Sequence, residues 1–182
     1  MTSRHPAPEA VRGARIKRTV IDGVLVLLLA VAQCSFFARL HVCPATPDLL
    51  LGLVLCVLLL DSVYAAAGVA LAAGFLVDAL GTTSFFLSPP FYFALVLILC
   101  LPVSKMLPTF PSYLLLLIPA LIGRAAYTLL CFALLSGPMP ALSYVGGVLL
   151  RECLTTALLV LPIYPIVKLC MRPLRARTRF HF

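Results

Sequence analysis

The chain has 182 residues, 63% of them hydrophobic and only 11% charged, and a mean hydropathy of +1.13. A typical soluble domain carries roughly 45–50% apolar and 25% charged residues, so a water-soluble globule is excluded, as are collagen-like, disordered and disulfide-scaffold chains. The formal net charge of +8 gathers at the two ends: Arg4, Arg12, Arg15, Lys17 and Arg18 stand against Glu9 alone, and Lys168, Arg172, Arg175, Arg177 and Arg179 against no acid. The composition predicts an all-α polytopic integral membrane bundle. It divides into a basic tail over 1–19, a helical bundle over 20–167 and a second basic tail over 168–182.

A helix needs about 20 residues to cross roughly 30 Å of hydrocarbon. The first apolar stretch, 20–40, is too long for the core of a cleaved signal. In Ala30-Val31-Ala32-Gln33-Cys34, Gln33 occupies the place where a lipoprotein cleavage site needs a small residue, so this stretch reads as an uncleaved first helix. Pro44 and Pro47 mark a linker, and Asp48 can cap a second helix over 48–60. Asp61-Ser62 breaks it, and a third helix runs over 63–80. Gly81 to Ser84 turns the chain, and Ser88-Pro89-Pro90 opens a fourth helix that ends near Pro102, with proline at an N-terminus where it is tolerated. A fifth covers 113–135, Ser136-Gly137-Pro138-Met139-Pro140 is a breaker cluster, and a sixth covers 141–167. Basic flanks of apolar spans stay in the cytoplasm, so six crossings with both ends inside are expected. The second and third helices are short, and read as tilted or re-entrant segments.

The basic ends call for anionic lipid rather than nucleic acid. Seven cysteines are spread without a C-x-x-C pair, and Cys in such helices behaves as a small apolar residue. Cys34, His41 and Cys43 form the one conceivable cluster. No metalloprotease, nucleophile-elbow or phosphate-loop motif occurs, so no catalytic residue, metal or cofactor is expected. Charges at membrane depth should face protein or water and find a partner. Counting about 1.5 Å per residue places Asp78 and Arg151 at one height, and Arg124 close to Glu152. Interhelical pairs Asp78–Arg151 and Arg124–Glu152 are therefore expected. The small-residue run from Ala65 to Gly74 lets the third helix approach a neighbour closely, with Ala70, Gly74 and Asp78 on one face. Gly146-Gly147 could serve the sixth in the same way.

Pro47-Asp48 at the start of the second helix, Gly74-Phe75-Leu76-Val77-Asp78-Ala79-Leu80 with Gly81 after it, and Pro162-Ile163-Tyr164-Pro165 before a basic tail together resemble the bacterial rod shape-determining MreD family. The resemblance covers about residues 20–170. It departs at the turn after Asp78, and at Val160, where the family often has Asn. It implies a non-enzymatic multi-pass protein of the inner membrane that binds MreC and other rod-complex membrane proteins. Such a protein helps connect actin-like MreB filaments to side-wall peptidoglycan synthesis. Gly74 and Asp78 would then set the packing and polarity of the third helix, and Pro162 and Tyr164 would shape the end of the sixth. The alternative is the substrate-binding subunit of a small-solute (vitamin) transporter, with Gln33, Asp78, Arg124, Tyr127 and Arg151 lining a cavity. An enzyme ranks third, since the interface lacks acidic or histidine clusters.

Overall fold

The computed structural model describes residues 8–37, 47–80, 87–135 and 145–175, and among them every element is helical. In chain order these are α1 (Pro8–Val31) with a π-helical continuation (Ala32–Phe37), α2 (Leu49–Leu60), α3 (Val63–Leu80), α4 (Ser88–Val103), α5 (Phe110–Leu135), a second π-helical segment (Val145–Leu149), α6 (Leu150–Val160) and α7 (Ile163–Arg175).

The organising element is α2. Its sequence, LLLGLVLCVLLL, has no polar face, and all twelve of its residues are buried. A helix that is apolar all round finds its minimum in the middle of a bundle, and the other six helices pack around it. The approach is closest at Gly52, where an added Cβ would lie 2.5 Å from a methyl of Val160 and 3.0 Å from the Tyr113 hydroxyl. That hydroxyl lies within hydrogen-bond reach of the Gly52 carbonyl at 3.3 Å and the Val160 carbonyl at 3.2 Å, fastening α5 to α2 and α6.

The surrounding helices turn one stripe inward. On α3 the buried stripe is Ala66, Val69, Ala70, Ala73, Gly74 and Asp78, while Tyr64, Leu71 and Phe75 are exposed. Small side chains therefore face the bundle and large apolar ones face out. Leu97, Ile98, Leu115, Ile118, Ile122 and Leu158 extend this apolar exterior over α4, α5 and α6. Lipid tails suit such a surface and water does not. Among the described residues four helical stretches are long and apolar enough to cross a membrane: Ile16–Ser35, Val63–Leu80, Phe110–Cys131 and Gly147–Met171. The other two expected crossings are shorter; α2 and α4 have 12 and 16 residues, reaching about 18 and 24 Å.

Several boundaries differ from expectation. α1 begins at Pro8 rather than near residue 20, because Glu, Ala, Arg and Lys continue a helix as well as apolar residues do. The sixth helix is not continuous: the chain breaks after Val160, and α7 starts at Ile163. Pro162, lacking an N–H, cannot extend the ladder. α7 then carries the basic segment in helical form to Arg175. Gly147 has open space where its side chain would be, so it does not bring α6 against a neighbour. The turn 81–84, the breaker 136–140, His41 and Cys43 lie outside the described residues.

Candidate functional site

The first amides of α2 have no partners within the helix, and burial denies them water. Asp48 and Gln33 supply the acceptors. Asp48 Oδ1 accepts from the Leu51 N–H at 3.1 Å, as an N-cap carboxylate does. Gln33, from the π-helical end of α1, offers Oε1 to the N–H groups of Leu49 and Leu50 at 3.0 and 3.4 Å. The Asp48 N–H donates to Thr156 Oγ1 at 3.0 Å, tying α6 to the same point.

The Asp48 carboxylate is the hub of a larger cluster. The Tyr92 hydroxyl of α4 donates to Oδ1 at 2.6 Å. Arg124 Nε of α5 lies 3.5 Å from Oδ2 and 4.0 Å from Glu152 Oε1 of α6. The guanidinium rests over the Phe91 ring, 5.4 Å from its centroid, and Phe91 stacks on Tyr127 at 4.9 Å. Tyr127 in turn donates to the Leu87 carbonyl at the start of α4. The Asp48 side chain is only 2% exposed, against 22% for Arg124 and 18% for Glu152. Two carboxylates thus share one arginine, the inner one sealed and the outer one open. Both π-helical segments adjoin this cluster: Gln33 lies in the first, and Glu152 follows the second by three residues. Such irregular turns often occur at functional places in helices.

A matching arrangement holds the other end of α2. Asp61 follows the helix C-terminus, where the dipole disfavours an acid. Arg18 of α1 offsets this: its Nε lies 2.8 Å from Asp61 Oδ2, and an Nη donates to the Leu60 carbonyl at 3.2 Å. The buried helix is therefore clamped at both ends by an aspartate–arginine pair.

Arg124 and Glu152 are brought together, as expected, though with Asp48 as the arginine's nearer partner. Asp78 and Arg151 are not. Asp78 Oδ2 accepts from the Ser88 N–H at 2.9 Å and so caps α4, whereas Arg151 is exposed on α6. Equal depth did not mean a shared face, and the nearest unsatisfied donor took the carboxylate. Gly74 makes this joint possible, because a Cβ there would stand 2.5 Å from the Cα and N of Pro89. Pro162 is exposed at the break before α7. Tyr164 is buried, donates to the Pro108 carbonyl at 2.9 Å and lies under the Lys168 ammonium, 5.3 Å from its ring centroid.

Sequence reading did not assign Tyr92, Thr156 or Gln33 to a common centre, nor Arg18 to Asp61. One signal was available: an aspartate opening a helix with no polar residue must itself be buried, and a buried carboxylate requires partners. Among the described residues no group of three or more His, Cys, Asp or Glu could hold a metal ion. What the arrangement does chemically is hold five helices in fixed register through charge and hydrogen bonding. Compared with protein-family models, curated proteins and solved structures, the chain matches none of them.

Proposed function

We propose that this chain is a non-enzymatic component of the bacterial cell-elongation machinery in the inner membrane. It binds MreC and helps couple cytoplasmic actin-like filaments to peptidoglycan synthesis along the side wall. The reading starts from the resemblance carried by Pro47-Asp48, Gly74 to Gly81 and Pro162 to Pro165. The observation that supports it most is the position of Gly74 and Asp78: the two most characteristic residues of that resemblance form the α3–α4 joint. Buried polar groups of the described residues join helices to one another, which suits a rigid scaffold acting through its helix faces and short loops.

In this proposal both termini are cytoplasmic. The Asp61 end of α2 then faces inward and the Asp48 end outward, with the basic ends of α1 and α7 against anionic lipid at about 1 kcal/mol per residue. A reporter fused after residue 182 is expected to be active only in the cytoplasm, and periplasmic activity would overturn the orientation. The function is tested by depleting the protein in its own host. Rods are expected to round up, MreC to co-purify with the affinity-tagged chain, and Asp78→Ala to fail to restore shape. Unaltered rods after depletion refute the reading. Saturable binding of a small solute by the purified chain, without MreC, points instead to the transporter subunit.

A further inference from the structure

At the Asp48 end of the bundle, three charged side chains open outward: Arg124 and Glu152, both partly exposed, and Arg151, fully on the surface one residue before Glu152. Their hydrogen-bonding capacity is largely unused. Among the described residues Arg124 Nε and Asp48 Oδ2, buried and 3.5 Å apart, make no hydrogen bond, and the Glu152 carboxylate has only the arginine, at 4.0 Å. Arg151 has no side-chain partner among the described residues. Asp48, Arg124, Arg151 and Glu152 together sum to zero charge, so the site favours a ligand with both signs and no net charge.

Its depth is equally specific. The apolar span Gly147–Met171, which takes in α6, the break at Leu161–Pro162 and most of α7, has 25 residues, about 37 Å along its length against a hydrocarbon core of roughly 30 Å. Arg151 and Glu152 follow its first residue by only four and five positions, so they sit where acyl chains meet headgroups. Leu150 and Leu154 beside them, and Leu130 and Leu134 further along α5, are exposed and offer apolar contact to acyl chains.

We propose that this end of the bundle binds the headgroup of a phosphoethanolamine lipid. Arg151 and Arg124 take the phosphate, as arginine takes phosphate oxygens with its donor fork, and Glu152 takes the primary ammonium. A phosphoglycerol headgroup leaves Glu152 without a cation. A phosphocholine headgroup has a cation with no N–H to donate. The site requires only that the bundle lie in a bilayer, and it is separate from the attraction of the basic ends for anionic lipid.

The full chain, purified in detergent with equal amounts of phosphatidylethanolamine, phosphatidylcholine and phosphatidylglycerol of identical acyl chains, is read by native mass spectrometry. Wild type is expected to retain phosphatidylethanolamine about fivefold over phosphatidylcholine, the ratio that roughly 1 kcal/mol provides. Glu152→Gln should abolish that preference. Arg151→Gln, which touches no buried group, should weaken retention of phosphatidylethanolamine without lowering the melting temperature. Equal retention of phosphatidylethanolamine and phosphatidylcholine by wild type overturns the proposal. So does an intact preference in Glu152→Gln, or a dominance of phosphatidylglycerol that neither substitution alters.

Discussion

Gly74→Leu is expected to unfold the protein or lower its apparent melting temperature by about 6–12 °C, the shift that roughly 3 kcal/mol produces in a chain of this size. The added Cβ alone meets the backbone of Pro89 at 2.5 Å. Overpacking a core costs about 1–3 kcal/mol when side chains can yield. Here the obstacle is the first turn of α4, pinned by the Ser88 N–H to Asp78 hydrogen bond 2.9 Å long. Relief requires α3 and α4 to separate, which lengthens that bond and uncovers the buried carboxylate. Gly68, six residues earlier on α3 and on its outer face, is the internal control. Nothing lies within 4 Å of its missing Cβ, so Gly68→Ala should gain up to about 1 kcal/mol from helix propensity. Thermal unfolding in one detergent, followed by loss of the monodisperse species, measures both. If Gly74→Leu and Gly68→Ala melt together, the close contact between α3 and Pro89 is not present in the protein.

The same pair of glycines marks how far the sequence could be read. The run Ala65 to Gly74 announces close packing, but only the helical period divides it into a buried stripe at 66, 70, 73 and 74 and an outer one containing Gly68. α2 and α3 were legible almost to the residue, because Pro47-Asp48 and Asp61-Ser62 interrupt otherwise unbroken apolar sequence. α1 was not, because its start is helical without being apolar. Gln33, which reads in the sequence as a misfit in a cleavage motif or as a polar group of a solute cavity, caps the buried helix.

Charge pairing failed for a different reason. Residue counting along a helix gives height through the fixed rise, but a pair also needs the rotation of each helix, which depends on packing with several neighbours. Arg124 and Glu152 shared both height and face. Asp78 and Arg151 shared height alone. Asp48, whose sequence context suggested a cap, also proved to be the arginine's nearest acid, and nothing local in the sequence specifies that second role.

Removing Arg124 should therefore be far more damaging than removing Glu152 or Arg151 at the same end of the bundle. Arg124→Met leaves the Asp48 carboxylate, 2% exposed, with no cation and with Glu152 near. Breaking a buried pair from one side costs about 3–5 kcal/mol. Glu152→Gln and Arg151→Gln act on partly or fully exposed groups and should each change stability by less than about 1 kcal/mol. The discriminating variant is the double substitution Asp48→Asn with Arg124→Met. Asparagine still accepts from the Leu51 N–H as an N-cap and from the Tyr92 hydroxyl, while both opposing charges are gone. The double variant should therefore melt above Arg124→Met alone, and the double-mutant cycle completed by Asp48→Asn should give an interaction energy of about 1–3 kcal/mol. Raising the salt concentration should leave that order unchanged, because mobile ions screen a buried pair much less than an exposed one. If Arg124→Met melts with Arg151→Gln, Asp48 does not depend on the arginine. If the double variant is no more stable than the single, the coupling between α2 and α5 is not electrostatic.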